Sequence, residues 1–355
     1  MATTAISMEA VRKTSASPGA ELVELTVPPV GPREVLVKIE LAAICGSDKH
    51  TYQWDSTTTG SSLDRPFTMG HEFAGHVVEV GAQVTSLKPG DLVAGETHQP
   101  CGRCETCLTD NAHICPNTRI VGRQIDGCFA DYTVLPMVCA RRVPDSLPLE
   151  QVALMEPLGV ALHAITDLEV SGKSLAVLGV GPIGLMSVAA GRALGATRIF
   201  ATARSRSKRE TALALGATAV FDPRTEDVVR SVLDATNGVG VGTVVDYTGD
   251  PEAIVQGFRM LRPAGRMVLV ARFSGPLPAI VGSYFVNKSP HVIGLWGRRL
   301  FHTWLLAEEL LTTGKVNLAP LVGRTYPLTE FKAAFQDSIT DGTTKVLLRP
   351  GSGVQ

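Results

Sequence analysis

Cys101, Cys104, Cys107 and Cys115 form a Cys-x2-Cys-x2-Cys-x7-Cys run. Four thiolates can close a tetrahedral shell on one zinc ion and leave no position for a substrate, so this cluster is expected to brace a lobe. Two disulfides are the alternative. They would suit a secreted chain, but no leader with an apolar core precedes the first strand, and the 7 cysteines are an odd number. Cys128 and Cys139 sit in apolar or strand-like surroundings and read as small buried hydrophobes.

Reactive groups must therefore come from elsewhere. Cys45-Gly46-Ser47-Asp48-Lys49-His50 offers a thiolate, a hydroxyl and an imidazole; Gly70-His71-Glu72 offers an imidazole and a carboxylate; Met155-Glu156-Pro157 offers a second carboxylate. Together these types can build an open Cys-His-Glu zinc site, which acts as a Lewis acid on a substrate hydroxyl. Gly179-Val180-Gly181-Pro182-Ile183-Gly184 follows an apolar strand and opens a helix running to Leu194. There the first glycine makes the tight turn, the second lets backbone amides approach a pyrophosphate, and the third allows close helix packing.

The elements that must position these groups fall into two halves. Up to about Ala140 the segments are short and β-branched, such as Val35–Leu41 and His76–Val80, so this half is expected to be β-rich. From Ser174 apolar strands alternate with helical stretches: 175–178, 198–202, 219–221, 243–246, 266–270 and 292–295. Six such strands imply an α/β fold with a doubly wound parallel Rossmann sheet. A helix-like 300–311 and a final strand 345–348 are expected to rejoin the first half. The boundaries this gives are 1–156 with 298–355 for the catalytic zinc domain, and 157–297 for the dinucleotide-binding domain. At 355 residues, two cores are the expectation.

Charge excludes some classes of function. The chain has 33 basic and 34 acidic side chains, a net charge of -1, and no basic helix beside the cysteines, which argues against nucleic acid. No apolar stretch reaches the roughly 20 residues of a membrane helix. A cytoplasmic protein acting on small molecules is the expectation.

The chain resembles the zinc-containing medium-chain dehydrogenase/reductase family over nearly its whole length. Its zinc signature stands intact as Gly70-His71-Glu72-Phe73-Ala74-Gly75, continuing to Gly81 and Val84. The resemblance implies a GroES-like β domain beside the Rossmann domain, and two zinc ions per chain, one structural and one catalytic. It makes Cys45 and His71 catalytic-zinc ligands, with Glu72 and Glu156 as carboxylates of which either completes the shell. Ser47 and His50 match the family's proton relay. Within the family, Cys45–Trp54, Gly95–Gly102, Asn117–Ile120 and Gly294–Trp304 are similar to the threonine and polyol dehydrogenase branch. That likeness makes His98 a substrate-recognition residue and implies a homo-oligomer, tetramer or dimer, with edge strands around Phe273–Val286 as the contact.

Choice of cofactor turns on the end of the second Rossmann strand, where an acid would hold an adenosine 2′-hydroxyl. Here the strand ends Thr202-Ala203-Arg204-Ser205-Arg206, followed by Lys208 and Arg209. Cations replace the acid, so NADP(H) is expected over NAD(H), with Ala203, Arg204, Ser205 and Lys208 beside a 2′-phosphate. Asp246 and Leu295, at later strand ends, are expected near the nicotinamide. The function expected is a zinc-dependent, NADP(H)-linked alcohol dehydrogenase or ketone reductase acting on a small secondary alcohol of threonine, polyol or aminocyclitol type. Two alternatives stand beside it: an NAD-dependent L-threonine 3-dehydrogenase, and a non-catalytic, zinc-stabilised dinucleotide-binding protein.

Overall fold

The structure is a computed structural model, and it describes residues 6–55, 65–340 and 344–351. The chain divides into two units, Met1–Glu156 with Leu321–Gln355, and Pro157–Pro320.

The first unit is built on a seven-stranded sheet. Its order is Ala140–Arg142, Leu92–Gly95, Glu72–Val80, Glu34–Ala43, Lys345–Arg349 and Val322–Pro327, with Tyr132–Pro136 also pairing along Glu34–Ala43. In Glu34–Ala43 the side chains of 35–37, Ile39 and 41–43 are buried, and only Glu34, Lys38 and Glu40 are more exposed, as suits a strand paired on both sides within the sheet. Val37, Ile39, Phe73, Phe129, Phe335 and Leu348 share one apolar core. Tyr52 stacks on Phe335 at 4.3 Å between centroids, which seats the helix Gly46–Gln53 against that core. Strand register then assembles the site. Ala43 pairs with Glu72 on one side and with Leu347 on the other, so Glu72 and Lys345 converge on the chain just before Cys45.

The second unit holds a six-stranded parallel sheet, ordered Ala219–Phe221, Arg198–Thr202, Ser174–Leu178, Val241–Asp246, Leu261–Leu269 and His291–Gly294. Leu175–Leu178 is buried on both faces, as a central parallel strand between helices must be. Strand order reverses on either side of Ser174–Leu178, and ligands of such sheets bind at the carboxyl ends beside that reversal.

Two expectations need correction. Residues 298–320 pack in the second unit, not the first, so the chain returns at Leu321. The reason is local: Arg298 is 1% exposed, lies over the Trp304 ring, and sits against Gly159, while His163 Nδ1 is 3.2 Å from the Gly297 carbonyl. The second correction concerns 273–286, expected to be edge strand. Ile280–Lys288 is a helix, because Tyr284 and Phe285 pack on Phe258 and Lys288 Nζ donates to the carbonyls of Phe258, Arg259 and Leu261. The edge strand on this side of the sheet is His291–Gly294.

Candidate active site

Cys45 ends the run from Glu34–Ala43 and is the N-cap of Gly46–Gln53. Its amide donates to Asp48 Oδ2 at 2.9 Å, and the other Asp48 oxygen lies 3.5 Å from His71 Nδ1. One buried carboxylate thus caps the helix and turns the imidazole, leaving Nε2 as the ligating nitrogen. One donor atom from each of Cys45, His71 and Glu72 lies within 4.8 Å of the other two. Burial alone would lower the His71 pKa, but the charge and hydrogen bond of Asp48, with Cys45 adding, hold it well above the ordinary range.

Glu72 is fully buried, and burial raises its pKa against the pull of Lys345. Lys345 Nζ makes an ion-pair contact of 2.5 Å with Oε2 and donates to the Ile44 carbonyl at 3.0 Å. Oε1 of Glu72 accepts no hydrogen bond among the described residues. A buried carboxylate oxygen without a hydrogen bond, beside a thiol and an imidazole, makes a donor set that fits a cation, and these donor types suit zinc. Lys345→Met should therefore destabilise metal-free protein by about 3 kcal/mol, the cost of orphaning a buried charge. Thermal unfolding with and without chelator checks this: the loss should shrink when zinc is loaded, because the ion replaces the missing cation.

Glu156 stands apart from that trio. It is 6% exposed and its Oε1 accepts from Thr97 Oγ1 at 2.5 Å, so the structure groups Glu72, not Glu156, with Cys45 and His71. Glu156 remains near enough for its charge to raise Glu72. Beside Thr97, Glu96 is 1% exposed and accepts from both the amide (2.7 Å) and Nδ1 (3.2 Å) of His98, itself buried. Ser47 and His50 occur three apart on Gly46–Gln53 and share its exposed face, while Asp48 points inward. His50 Nδ1 meets Asp55 Oδ2 at 2.5 Å. Residues 56–64, shortly after this helix, lie outside the described residues.

Cys101, Cys104, Cys107 and Cys115 bring their sulfurs within 4.8 Å of one another. Cys104 Sγ is 3.4 Å from Cys107 Sγ and 3.6 Å from Cys115 Sγ. Those separations are too long for disulfides and close to the roughly 3.8 Å edge of a sulfur tetrahedron around zinc at about 2.3 Å. The Thr106 hydroxyl and the Cys107 amide hold the Cys104 thiol down at about 6, whereas burial pushes Cys107 up to about 12.

In the second unit Gly179 has φ +82°, and a Cβ on Gly184 would lie 2.3 Å from the Gly179 carbonyl oxygen, so neither position admits a side chain. Gly181 differs, since a Cβ there would meet nothing within 4 Å. It is the N-cap of Pro182–Ala193, with Pro182 at the first helical position and Ile183 behind it. Open space before helical amides fits a pyrophosphate. Ala203 is 6% exposed, while the Arg204 side chain is exposed at the strand end; Ser205 Oγ lies 2.8 Å from Ser207 Oγ, and Lys208 is half-buried. Asp246 lies at the strand end where it was expected. Its oxygens accept from the Thr248 amide and hydroxyl and the Gly249 amide, so the carboxylate shapes its own turn. The Leu295 amide is likewise taken by the Leu269 carbonyl.

Asp48, Lys345, Thr97, Glu96 and Asp55 were not assigned from the sequence. Asp48 had a readable signal, an acid at the third residue of a helix that Cys45 begins. Lys345 had a weak one, a lysine at the head of the apolar Val346–Leu348. The other three become visible only once the chain is folded.

Comparison with known proteins agrees with this geometry. Residues 31–145 match the alcohol dehydrogenase GroES-like domain, and residues 182–313 match the zinc-binding dehydrogenase family. L-threonine 3-dehydrogenase of Caldanaerobacter subterraneus subsp. tengcongensis is 41% identical across 97% of this chain and 99% of its own. Among solved structures, a zinc-binding dehydrogenase from Sinorhizobium meliloti bound to NADP superposes with TM-score 0.89 at 30% identity, covering 97% of this chain and all of that one. The 2R,3R-butanediol dehydrogenase of Bacillus subtilis gives 0.87 at 30% identity, covering 97% of this chain and 100% of that one. The chain belongs to the zinc-containing medium-chain alcohol dehydrogenase family and is an oxidoreductase of CH–OH groups. No helix among the described residues is long and apolar enough to cross a membrane.

Proposed function

We propose that this member of the zinc alcohol dehydrogenase family oxidises a small amino alcohol or polyol, with L-threonine the foremost candidate, and that its dinucleotide is NADP. The observation that carries the catalytic part is the trio Cys45, His71 and Glu72, one of whose buried oxygens lacks a partner. Zinc held there would supply a Lewis acid for the substrate hydroxyl, and the nicotinamide would supply the hydride acceptor. The chain's own residues do the rest. Asp48 fixes the His71 ring, Lys345 balances Glu72, and Ser47 and His50 lie on one exposed helix face along which a proton can pass to solvent. His98, oriented by Glu96, is assigned to substrate recognition.

Threonine is favoured over a general ketone reductase because several relatives bearing that name are about 40% identical along almost the whole chain. NADP is supported by Ala203 and Arg204, which stand where an NAD enzyme needs an acid. The same reading includes a second, structural zinc at the cysteine tetrad, a homo-oligomer, and the cytoplasm, whose reducing conditions keep thiol ligands free.

Initial rates with L-threonine and a polyol panel, using NADP and NAD in turn, test this. Wild type should turn over threonine with NADP faster than with NAD, and Ala203→Asp should reverse the cofactor order by about tenfold or more, since the new carboxylate repels a 2′-phosphate and accepts from a 2′-hydroxyl. Equal rates with both dinucleotides would sink the cofactor assignment. A zinc-replete enzyme inert on the whole panel would sink the substrate assignment.

A further inference from the structure

The carboxyl ends of Arg198–Thr202 and Ala219–Phe221 are neighbours, paired in register at Thr202 and Phe221. Just past the second of them, Asp222 is 7% exposed and is grasped by two arginines. Arg224 Nε donates to Oδ1 at 3.0 Å and Nη2 to Oδ2 at 2.7 Å, a two-pronged pair, while Arg209 Nη1 donates to Oδ2 at 3.0 Å. The same guanidiniums also hold the turn after the first strand. Arg209 Nη1 donates to the carbonyls of Ala203 (2.9 Å) and Arg204 (3.0 Å), and Arg224 Nη2 to that of Arg204 (2.7 Å). Arg224, with Arg209 adding, keeps the Asp222 carboxyl well below the ordinary range, so it stays ionised.

Arg209 and Arg224 share the single carboxylate of Asp222, and Arg204 and Lys208 follow the strand Arg198–Thr202 in sequence. The side chains of Arg204 and Lys208 make no hydrogen bond or ion pair among the described residues, and Arg224 is 60% exposed with Nη1 outside any hydrogen bond. Arg209, at 25% exposure, directs its bonded nitrogen inward and reads as structural. Arg224 is different, because Asp222 fixes its fork while leaving one edge to solvent beside Arg204.

We propose that Arg224 is a specificity-determining residue that binds the adenosine 2′-phosphate together with Arg204, and that Asp222 is the positioning residue that aims it. The inference rests on the NADP reading and adds to it a residue from a different strand end. A fork held by a buried carboxylate loses little freedom when it meets a phosphate, which is the advantage of an arginine over a free lysine there.

The test uses the full-length, zinc-loaded protein and two nucleotide probes, adenosine 2′,5′-bisphosphate and AMP, which differ only in the 2′-phosphate. Calorimetric titration of wild type should show tighter binding of the bisphosphate, weakening with salt. Arg224→Met should weaken the bisphosphate by about tenfold, as for loss of one charge-assisted contact at a half-exposed site, and AMP by less than about twofold. Arg209→Met, which loosens the turn itself, should weaken both probes alike. If wild type shows no preference for the bisphosphate, the cofactor reading fails and the inference falls with it. If the preference exists but Arg224→Met leaves it intact, or weakens both probes equally, only the role of Arg224 is overturned.

Discussion

Cys45→Ala should leave a folded protein with half the zinc of wild type and a kcat lowered by about a thousandfold. Lewis-acid stabilisation is worth on the order of several kcal/mol, and each ~1.4 kcal/mol is a factor of ten. Folding should survive because Cys45 is only partly buried and lies at a helix start, where Asp48 still caps from its own side chain. Metal analysis beside steady-state kinetics reads both effects. Full zinc occupancy with unaltered kcat would remove Cys45 from the site. The pH dependence has a definite sign. Asp48 raises His71 well above its ordinary value in the metal-free protein, so a proton holds the ligand to higher pH and competes with zinc. Apparent zinc affinity should fall as pH drops, by up to about tenfold per unit for each proton displaced, and a competition titration with a chelating dye at two pH values reads it.

Much of this site was legible in the chain because its chemistry needs residue types that cannot be exchanged. A thiol at 45, an imidazole at 71 and a glycine at 184 are each fixed by what they must do or by what a Cβ would strike. The parallel sheet was equally readable, since a strand buried on both faces, such as Leu175–Leu178, must be continuously apolar. Long-range partners were not. Lys345 reaches Glu72 through the register of Leu347 with Ala43, which no local pattern encodes. Phe273–Val286 misled because Val281, Tyr284 and Phe285 are strand-forming types, and only the rings packing on Phe258 decide for helix. The boundary at 298 failed for a similar reason: a buried arginine at 298 against Gly159 extends the second unit well past its last strand.

The largest effect on stability is expected at the other cluster. Cys107→Ser should release the structural zinc and lower the melting temperature by on the order of 10 °C or more, since zinc in such shells contributes folding energy outright. The local chain explains why nothing else could compensate. Between Cys101 and Cys115 the regular structure is a four-residue helix, Glu105–Leu108, and one turn at Ala112–Ile114. Leu108 and Ile114 are 73% and 45% exposed, so the lobe has almost no apolar interior of its own. A zinc ion held by the four thiols would take the place of a core. Burial and the neighbouring Cys104 thiol push the Cys107 thiol up when no cation is present, and serine cannot supply the thiolate that zinc binds. Limited proteolysis gives a readout independent of melting, with cleavage expected between residues 101 and 115 in the variant and not in wild type. Kinetics separate the two metals further: Cys107→Ser should lose activity in step with unfolding, whereas Cys45→Ala loses it while the fold persists. A Cys107→Ser protein that kept all its zinc and melted with wild type would leave the tetrad without a structural role.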